Sequence, residues 1–237
     1  MRYRLLIEYD GQNYAGWQIQ KGQRTIQGEI ERALYVLVKK AVRVTGAGRT
    51  DSGVHARGQG AHFDLSITAD CGRLQRSLNG MLERDIRIID VAAVSSDFHA
   101  RYSAREREYR YYITRKPIAL HRSYFWYITY PLDVNLMNHA ADRIVHITDF
   151  RPFTKEGSTI NHYRCNVKEA KFDETGDTLV FTIIANRFLY GMVRSLVGAL
   201  VDIGRGRLLI DNVFPQPNGM LWQCAPARAL VLERIGY

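Results

Sequence analysis

The chain of 237 residues has no apolar run near the ~18 residues that a helix needs to cross a bilayer. Its opening, "MRYRLLIEYDGQ", lacks the apolar core of a signal peptide. Cysteine is scarce: Cys71, Cys165 and Cys224 are odd in number and far apart, which excludes a disulfide framework, and no CxxC pair suggests zinc. Small buried thiols in a reduced, cytoplasmic protein are expected. The seven histidines, His55, His62, His99, His121, His139, His146 and His162, include no HExxH and no other ligand spacing. They are expected to be structural or surface groups, and no metal is predicted. Nucleotide-binding loops are missing too. Gly48 to Gly53 has the glycine spacing of a phosphate loop, but Val54 and His55 stand where lysine and a hydroxyl are required. Gly46 and Gly48 begin a GxG that no third glycine completes.

Acidic residues are in deficit. Lysine and arginine number 33 against 24 aspartates and glutamates, giving a net charge of +9, and the isoelectric point is about 9.6. An excess of this size favours polyanions through phosphate contacts and counterion release. Fourteen tyrosines strengthen the case for nucleic acid, because rings among arginines can stack on exposed bases. The densest stretch is "ARYSAREREYRYYITRK", residues 100–116. A hydrophobic share of 46% is that of an ordinary globular protein with a proper core.

Periodicity organises the chain into two similar halves. Tyr3 to Tyr9 alternates and reads as a strand, followed by a polar, glycine-containing loop through Gln23. Thr25 can cap a helix with Ile26, Ile30, Ala33, Leu34 and Leu37 on one stripe. "VRVTG" reads as a short strand, and Ala61, Phe63, Leu65 and Ile67 mark one face of another. A second helix fits Cys71, Leu74, Leu78 and Met81, and Ile86 to Val94 reads as a buried strand. The order is β-α-β-β-α-β, the split ferredoxin-like motif.

The second half repeats it with insertions. "REYRYYIT" is a strand and Phe125 to Thr129 a short addition. Asp133 caps a helix with Val134, Met137, Ala140, Ala141 and Ile144 on one side. "YRCNVKEAKF" and "TLVFTIIA" join as a hairpin at "DETGD". Leu189, Met192, Val193, Leu196, Val197 and Leu200 define an amphipathic helix, and "ALVLERI" is a last strand. The predicted fold class is α+β: two ferredoxin-like halves, residues 1–103 and 104–237, with antiparallel sheets joined side by side around a central cleft. No sequence repeat relates them.

One stretch resists a structural label. "GAGRTDSGVHARGQG", Gly46 to Gly60, sets a lone carboxylate, Asp51, among glycines, two arginines and a histidine. Thr-Asp-Ser-Gly is good turn chemistry, so a turn alone would account for it. "DSG" also suits an aspartic protease, but that reaction needs two carboxylates sharing a proton, and only a symmetric dimer would supply the second. Gly46, Gly48 and Gly53 let the backbone of such a loop come close to a ligand.

"GRTDSGVHARGQGAHF" closely resembles the active-site motif of the tRNA pseudouridine synthase A (TruA) family. "DFHARYSAREREYRYYI" resembles its second motif and "ANRFLYGMVRSLVG" its third; "DFRPFTKEG" and "APARALVLERIGY" match in place and order. The resemblance implies that Asp51 is the catalytic aspartate, that Arg194 is the basic residue paired with it, and that Tyr109 contacts the target base. It further implies that Arg49 displaces that base and that Thr50, Gly53 and His55, in the same motif, belong to substrate binding. Ser52 and Ala229 depart from the common alanine and glycine without removing a reactive group, and Arg187 is given no role. The implied reaction is isomerisation of uridine to pseudouridine at positions 38 to 40 of the tRNA anticodon stem-loop, by a homodimer that needs no cofactor. A non-catalytic RNA-binding or tRNA-folding protein is the alternative.

The chemistry is consistent with the missing nucleotide motifs. Breaking the N-glycosidic bond, turning the uracil and rejoining it through C5 oxidises nothing and requires no energy source. It requires an ionised nucleophile. A free aspartate has a pKa of about 3.9, burial under an extruded base raises such a group by up to ~3–5 units, and a nearby arginine opposes the rise. Extruding the base costs a few kcal/mol. On a 3.6-residue period Arg194 lies at the flank of its helix's apolar stripe, with Gly191 and Gly198 on the same side, where small residues permit close backbone approach.

Overall fold

The structure, a computed structural model, describes residues 1–155, 162–214 and 222–237. It comprises two compact units, Met1–Arg105 with Val231–Tyr237, and Glu106–Leu230. The C-terminal residues from Val231 on group with the first unit rather than the second.

The first unit follows the split motif. Strand β1 (Arg2–Tyr9) buries Tyr3, Leu5, Ile7 and Tyr9 on one face, as its alternation requires. Helix α1 (Ile26–Val38) begins where the Thr25 side chain accepts from the Gly28 amide, and it buries Ile26, Ile30, Ala33 and Leu34. Strand β2 is only Thr45–Gly46, and β3 spans His55–Asp64. Helix α2 (Cys71–Met81), capped by Asp70, packs on β4 (Ile86–Val94) and against α1. The sheet order is β4-β1-β3, with β2 on the far side of β3, all antiparallel. Tyr3 and Phe63, partners in register, stack at 5.6 Å.

Three expectations for this unit change. The stretch from Gly46 to Gly60 is not one loop, because His55 onward is strand; the irregular part is residues 47–54. Gly58 and Gly60 sit inside β3 for a long-range reason. A Cβ would come 2.4 Å from the Glu233 carbonyl oxygen at Gly58 and 2.1 Å from the Tyr237 hydroxyl at Gly60. Ile67 lies past the end of β3 and is 61% exposed, so it leaves the face it was expected to share with Ala61 and Phe63. β4 lies at the end of the sheet and buries only Ile86, Ile88 and Val91, not its whole length.

In the second unit β5 (Glu106–Thr114) pairs with the short β6 (Trp126–Tyr127). Helix α3 (Val134–His146) starts where Asp133 accepts from the Leu136 amide and buries Met137, Ala140, Ala141 and Ile144. β7 (Val167–Thr175) and β8 (Thr178–Ala185) form the expected hairpin, turning at Gly176 with φ 59°. Within the unit the strand order is β5-β8-β7, again antiparallel. Helix α4 (Met192–Gly204) packs on α3. A short α5 (Ile210–Val213), which the sequence did not signal, precedes the last strand, β9 (Leu230–Gly236). From Val231 on, β9 belongs to the first unit, and it runs parallel to β3 with His55 opposite Val231 and Ala56 opposite Leu232. That pairing is the physical reason the C-terminus groups with the first unit.

Helix α4 is not the one-sided amphipathic helix its stripe suggests. Eleven of its thirteen residues are buried, Ser195, Ala199 and Val201 among them, and Leu189 lies ahead of it. Its second face is covered by chain just before β9. The Trp222 indole donates to the Ser195 hydroxyl at 2.9 Å, and a Cβ at Gly198 would stand 1.9 Å from the Gln223 carbonyl oxygen. Of the cysteines, Cys165 is buried, and burial pushes its thiol up to about 11. Cys71 and Cys224 are only partly covered, against expectation, since Cys71 opens α2 and Cys224 lies outside regular structure.

Gly198 gives a stability prediction. Overpacking costs about 1–3 kcal/mol, and a backbone oxygen yields little, so the upper end applies. Alanine's helix propensity returns about 1 kcal/mol. Gly198→Ala is expected to lose about 2 kcal/mol net, lowering Tm by ~4–8 °C. Gly80→Ala, exposed in α2 with nothing within 4 Å of the new methyl, is expected to gain up to about 1 kcal/mol. Thermal unfolding that gave both variants the same sign would contradict the packing described.

Candidate active site

Asp51 sits in the 47–54 segment between β2 and β3, half-buried, and a second segment, residues 11–17, packs along it. The Trp17 amide donates to the Thr50 carbonyl at 3.1 Å. On the other side of Asp51, the Tyr14 carbonyl accepts from the Gly53 amide at 3.3 Å and from the Ser52 hydroxyl at 3.1 Å. The residues immediately before and after the carboxylate are thus held by one short backbone seam. Asp51 also opens a turn, in which the Val54 amide donates to the Asp51 carbonyl at 3.2 Å and Gly53 has φ 77°. A type II turn demands glycine at that place. The turn reading of Thr-Asp-Ser-Gly therefore holds for the backbone.

Two glycines allow the approach. Gly16 has φ 94°, and a Cβ on it would lie 2.5 Å from the Thr50 carbonyl oxygen and 3.0 Å from the Asp51 carbonyl carbon. A Cβ on Gly11 would lie 2.0 Å from the Val54 carbonyl oxygen. Gly46 at the loop's entry packs on the buried Trp17 ring, and a Cβ on it would come within 2.6 Å of that ring.

The loop's side chains divide by exposure. Thr50 is buried, its hydroxyl 2.8 Å from the Tyr9 hydroxyl. Burial pushes the Tyr9 phenol well above the ordinary tyrosine range, so it stays protonated and able to donate. The wholly buried Gln59 of β3 donates to the Gly48 carbonyl at 3.0 Å. His55 is buried as well; its Nδ1 lies 3.1 Å from the Gly11 amide and 3.0 Å from Asp10 Oδ1, which ties it to the 10–11 turn. Arg49 is exposed, and its Nε donates to Gln18 Oε1 at 3.2 Å. Arg49, Thr50, Gly53 and His55 are therefore gathered around Asp51, with Arg49 facing solvent and His55 and Thr50 facing inward. A half-buried carboxylate on a pinned loop, flanked by an exposed guanidinium, is suited to act as nucleophile or base beside an anionic ligand.

Tyr109 and Arg194 belong to the second unit. Tyr109 lies on β5, 7% exposed, edge-on to Phe188 at 5.0 Å. Arg194 is in the first turn of α4, where its Nε donates to the Ala225 carbonyl at 2.8 Å and its own carbonyl accepts from the Ala225 amide at 3.0 Å. Two residues along β5, the Tyr111 hydroxyl donates to the neighbouring Pro226 carbonyl at 2.8 Å. Segment 225–226 thus anchors both the strand and the helix that carry these residues. Arg187 lies 3.3 Å from His162 Nε2. Of the "DFRPFTKEG" stretch, Glu156 and Gly157 lie outside the described residues. Among the described residues no group of three His, Cys, Asp or Glu side chains is gathered as for a metal ion, and no helix is long and apolar enough to cross a membrane.

Sequence reasoning missed Tyr9, Gly11, Tyr14, Gly16, Trp17 and Gln59. The available signal was "YAGW", residues 14–17: glycine between large aromatics in an otherwise polar loop.

Known proteins resemble the chain along its whole length. The family profile described as tRNA pseudouridine synthase matches residues 5–103 and 145–237. The tRNA pseudouridine synthase A of Moorella thermoacetica is 40% identical over 242 residues, covering 99% of this chain and 98% of that one. Those of Halalkalibacterium halodurans and Bacteroides fragilis are 41% and 39% identical, covering 90% and 100% of this chain and 82% and 96% of their own.

The seam can be tested directly. Gly16→Ala adds strain of roughly 1–2 kcal/mol at positive φ, besides the clash with Thr50. Hydrogen exchange at the Trp17 and Gly53 amides is expected to accelerate by about tenfold or more. Unchanged exchange at both amides would show that the seam tolerates a side chain at 16.

Proposed function

The chain belongs to the tRNA pseudouridine synthase family, isomerases acting on tRNA uridines, and from that membership we propose that it converts uridine to pseudouridine at positions 38 to 40 of the anticodon stem-loop, with Asp51 as the nucleophile. The observation that carries this reading is the seam around Asp51: Trp17 holds the peptide before the carboxylate and Tyr14 the residues after it. An enzyme that waits for an extruded base needs its reacting group fixed in advance, since orientation lost in the loop is lost from the rate.

The reaction balances without a cofactor. The N1–C1′ bond breaks and a C5–C1′ bond forms. The C5 hydrogen leaves as a proton, and N1 gains one. Because the glycosidic bond is shielded in stacked RNA, the uridine is flipped out, at a few kcal/mol. The assignment of Arg49, exposed two residues before Asp51, to displacing the base rests on its position in the family's motif. The assignments of Tyr109 to the flipped base and of Arg194 to the catalytic carboxylate rest on their positions in the family's motifs. Thr50, Gly53 and His55 shape the loop for the substrate, and the Tyr9 contact with Thr50 supports that part. The net charge of +9 supplies attraction to tRNA in the cytoplasm. A homodimer engaging one tRNA completes the reading.

Asp51→Ala is expected to bind unmodified tRNA with a Kd near that of the wild type, while chemical mapping finds no pseudouridine at positions 38 to 40. Product at those positions from the variant would remove Asp51 from the mechanism. Binding without product by the wild type itself would favour a tRNA-folding role instead.

A further inference from the structure

Away from the Asp51 loop, the first unit holds a run of stacked rings that ends at the surface. Tyr102 is 76% exposed, the most exposed tyrosine among the described residues. An exposed tyrosine commonly has no fixed place, but this one lies on His99, with ring centroids 4.3 Å apart and planes 32° from parallel. His99 packs in turn on the buried His62 at 4.7 Å, and Phe98 meets His62 edge-on at 6.2 Å. The guanidinium of Arg101 lies 5.7 Å from the Tyr102 centroid.

The stack is held by its own turn. His99 Nδ1 accepts from the Arg101 and Tyr102 amides at 3.2 and 3.3 Å, which places the ring proton on Nε2. The Ser103 hydroxyl accepts from the His99 amide, and the Ser103 amide donates to the His99 carbonyl. His62 Nδ1 accepts from the Ala100 amide at 3.1 Å. Arg2 donates to the Ser96 and Phe98 carbonyls at 2.6 and 2.8 Å while its other nitrogens hold Asp64. None of these contacts buries Tyr102; together they fix its ring in place while leaving most of it in water.

We propose that Tyr102, backed by His99 and flanked by Arg101, is a stacking platform for one unpaired base of the RNA substrate. The chemistry favours a nucleobase over a protein partner. The exposed group is a flat aromatic ring, a cation lies beside it, and the chain carries a net charge of +9. A base stacked there is read by its π-face, so the platform strengthens binding without choosing sequence. Its place outside the reacting loop makes it a binding group, not a catalytic residue. The inference rests on the tRNA reading above and adds to it a contact for Tyr102, to which that reading gives no role.

The test is fluorescence anisotropy with labelled, unmodified tRNA and the full chain. Tyr102→Ala and Tyr102→Leu are expected to raise Kd by about five- to a hundredfold, the usual range for losing one base–aromatic stack. Tyr102→Phe and Tyr102→Trp are expected to keep Kd close to wild type. Because the side chain is exposed, all four variants should unfold at the wild-type Tm, and pseudouridine formation at saturating tRNA should persist. An unchanged Kd in Tyr102→Ala would overturn the platform, as would a leucine that binds as well as tyrosine. Loss of affinity accompanied by a changed oligomeric state in sedimentation would assign the ring to a second copy of the chain and also overturn it. If wild-type protein binds tRNA but makes no pseudouridine, the enzymatic reading fails, while the Kd series still judges the platform.

Discussion

The backbone seam between residues 14–17 and 50–53 is the constraint on which the rest of the site depends. A carboxylate on a free loop samples many positions, and ordering it at the moment of reaction would cost rate. Here the ordering is completed on folding. It is made of backbone groups and the Ser52 hydroxyl. The seam requires two chain segments to touch without Cβ atoms between them, and Gly11 and Gly16 meet that requirement. Behind it, Tyr9, Gln59 and His55 fill the interior with hydrogen-bonded polar groups rather than bare apolar surface.

The seam is also tied to the scaffold. Tyr14, whose carbonyl holds Gly53, is anchored through its own hydroxyl to Asp85 at 2.6 Å, beside β4, and Arg24 lies over its ring at 4.5 Å. Trp17 packs beneath Gly46 at the loop's entry. The Asp51 loop is thereby tied to β1, β3 and β4 although it belongs to none of them. In the second unit the same economy appears around Ala225 and Pro226, which hold Arg194 on α4 and Tyr111 on β5 from one short stretch of chain.

Much of this was legible in the sequence, and what was not shares one cause. Caps and alternation are local, so Thr25, Asp133 and the strands at Tyr3 and Thr178 announced themselves. The hairpin at Gly176 did too. Asp51, Tyr109 and Arg194 stood out because long motifs carry them. Contacts between distant segments leave no local trace. Gly60 is a glycine because Tyr237 lies against it, and nothing near residue 60 says so. The far side of α4 is buried because Trp222 and Gln223 return to cover it, which turned an expected amphipathic helix into a core helix. The 11–17 segment looked like an ordinary polar loop because its function is exercised on residues forty positions away.

The central claim, that a pinned Asp51 carboxylate carries out the isomerisation, is tested most directly by a single-turnover experiment. Forming the C5–C1′ bond releases the C5 hydrogen, so tRNA labelled with tritium at uridine C5 reports the reaction as label in water. Asp51→Asn keeps the side chain's shape and the seam but removes its charge and nucleophilicity. The account predicts tritium release by the wild type and none above the enzyme-free rate from the variant. Release at a comparable rate from both would contradict it.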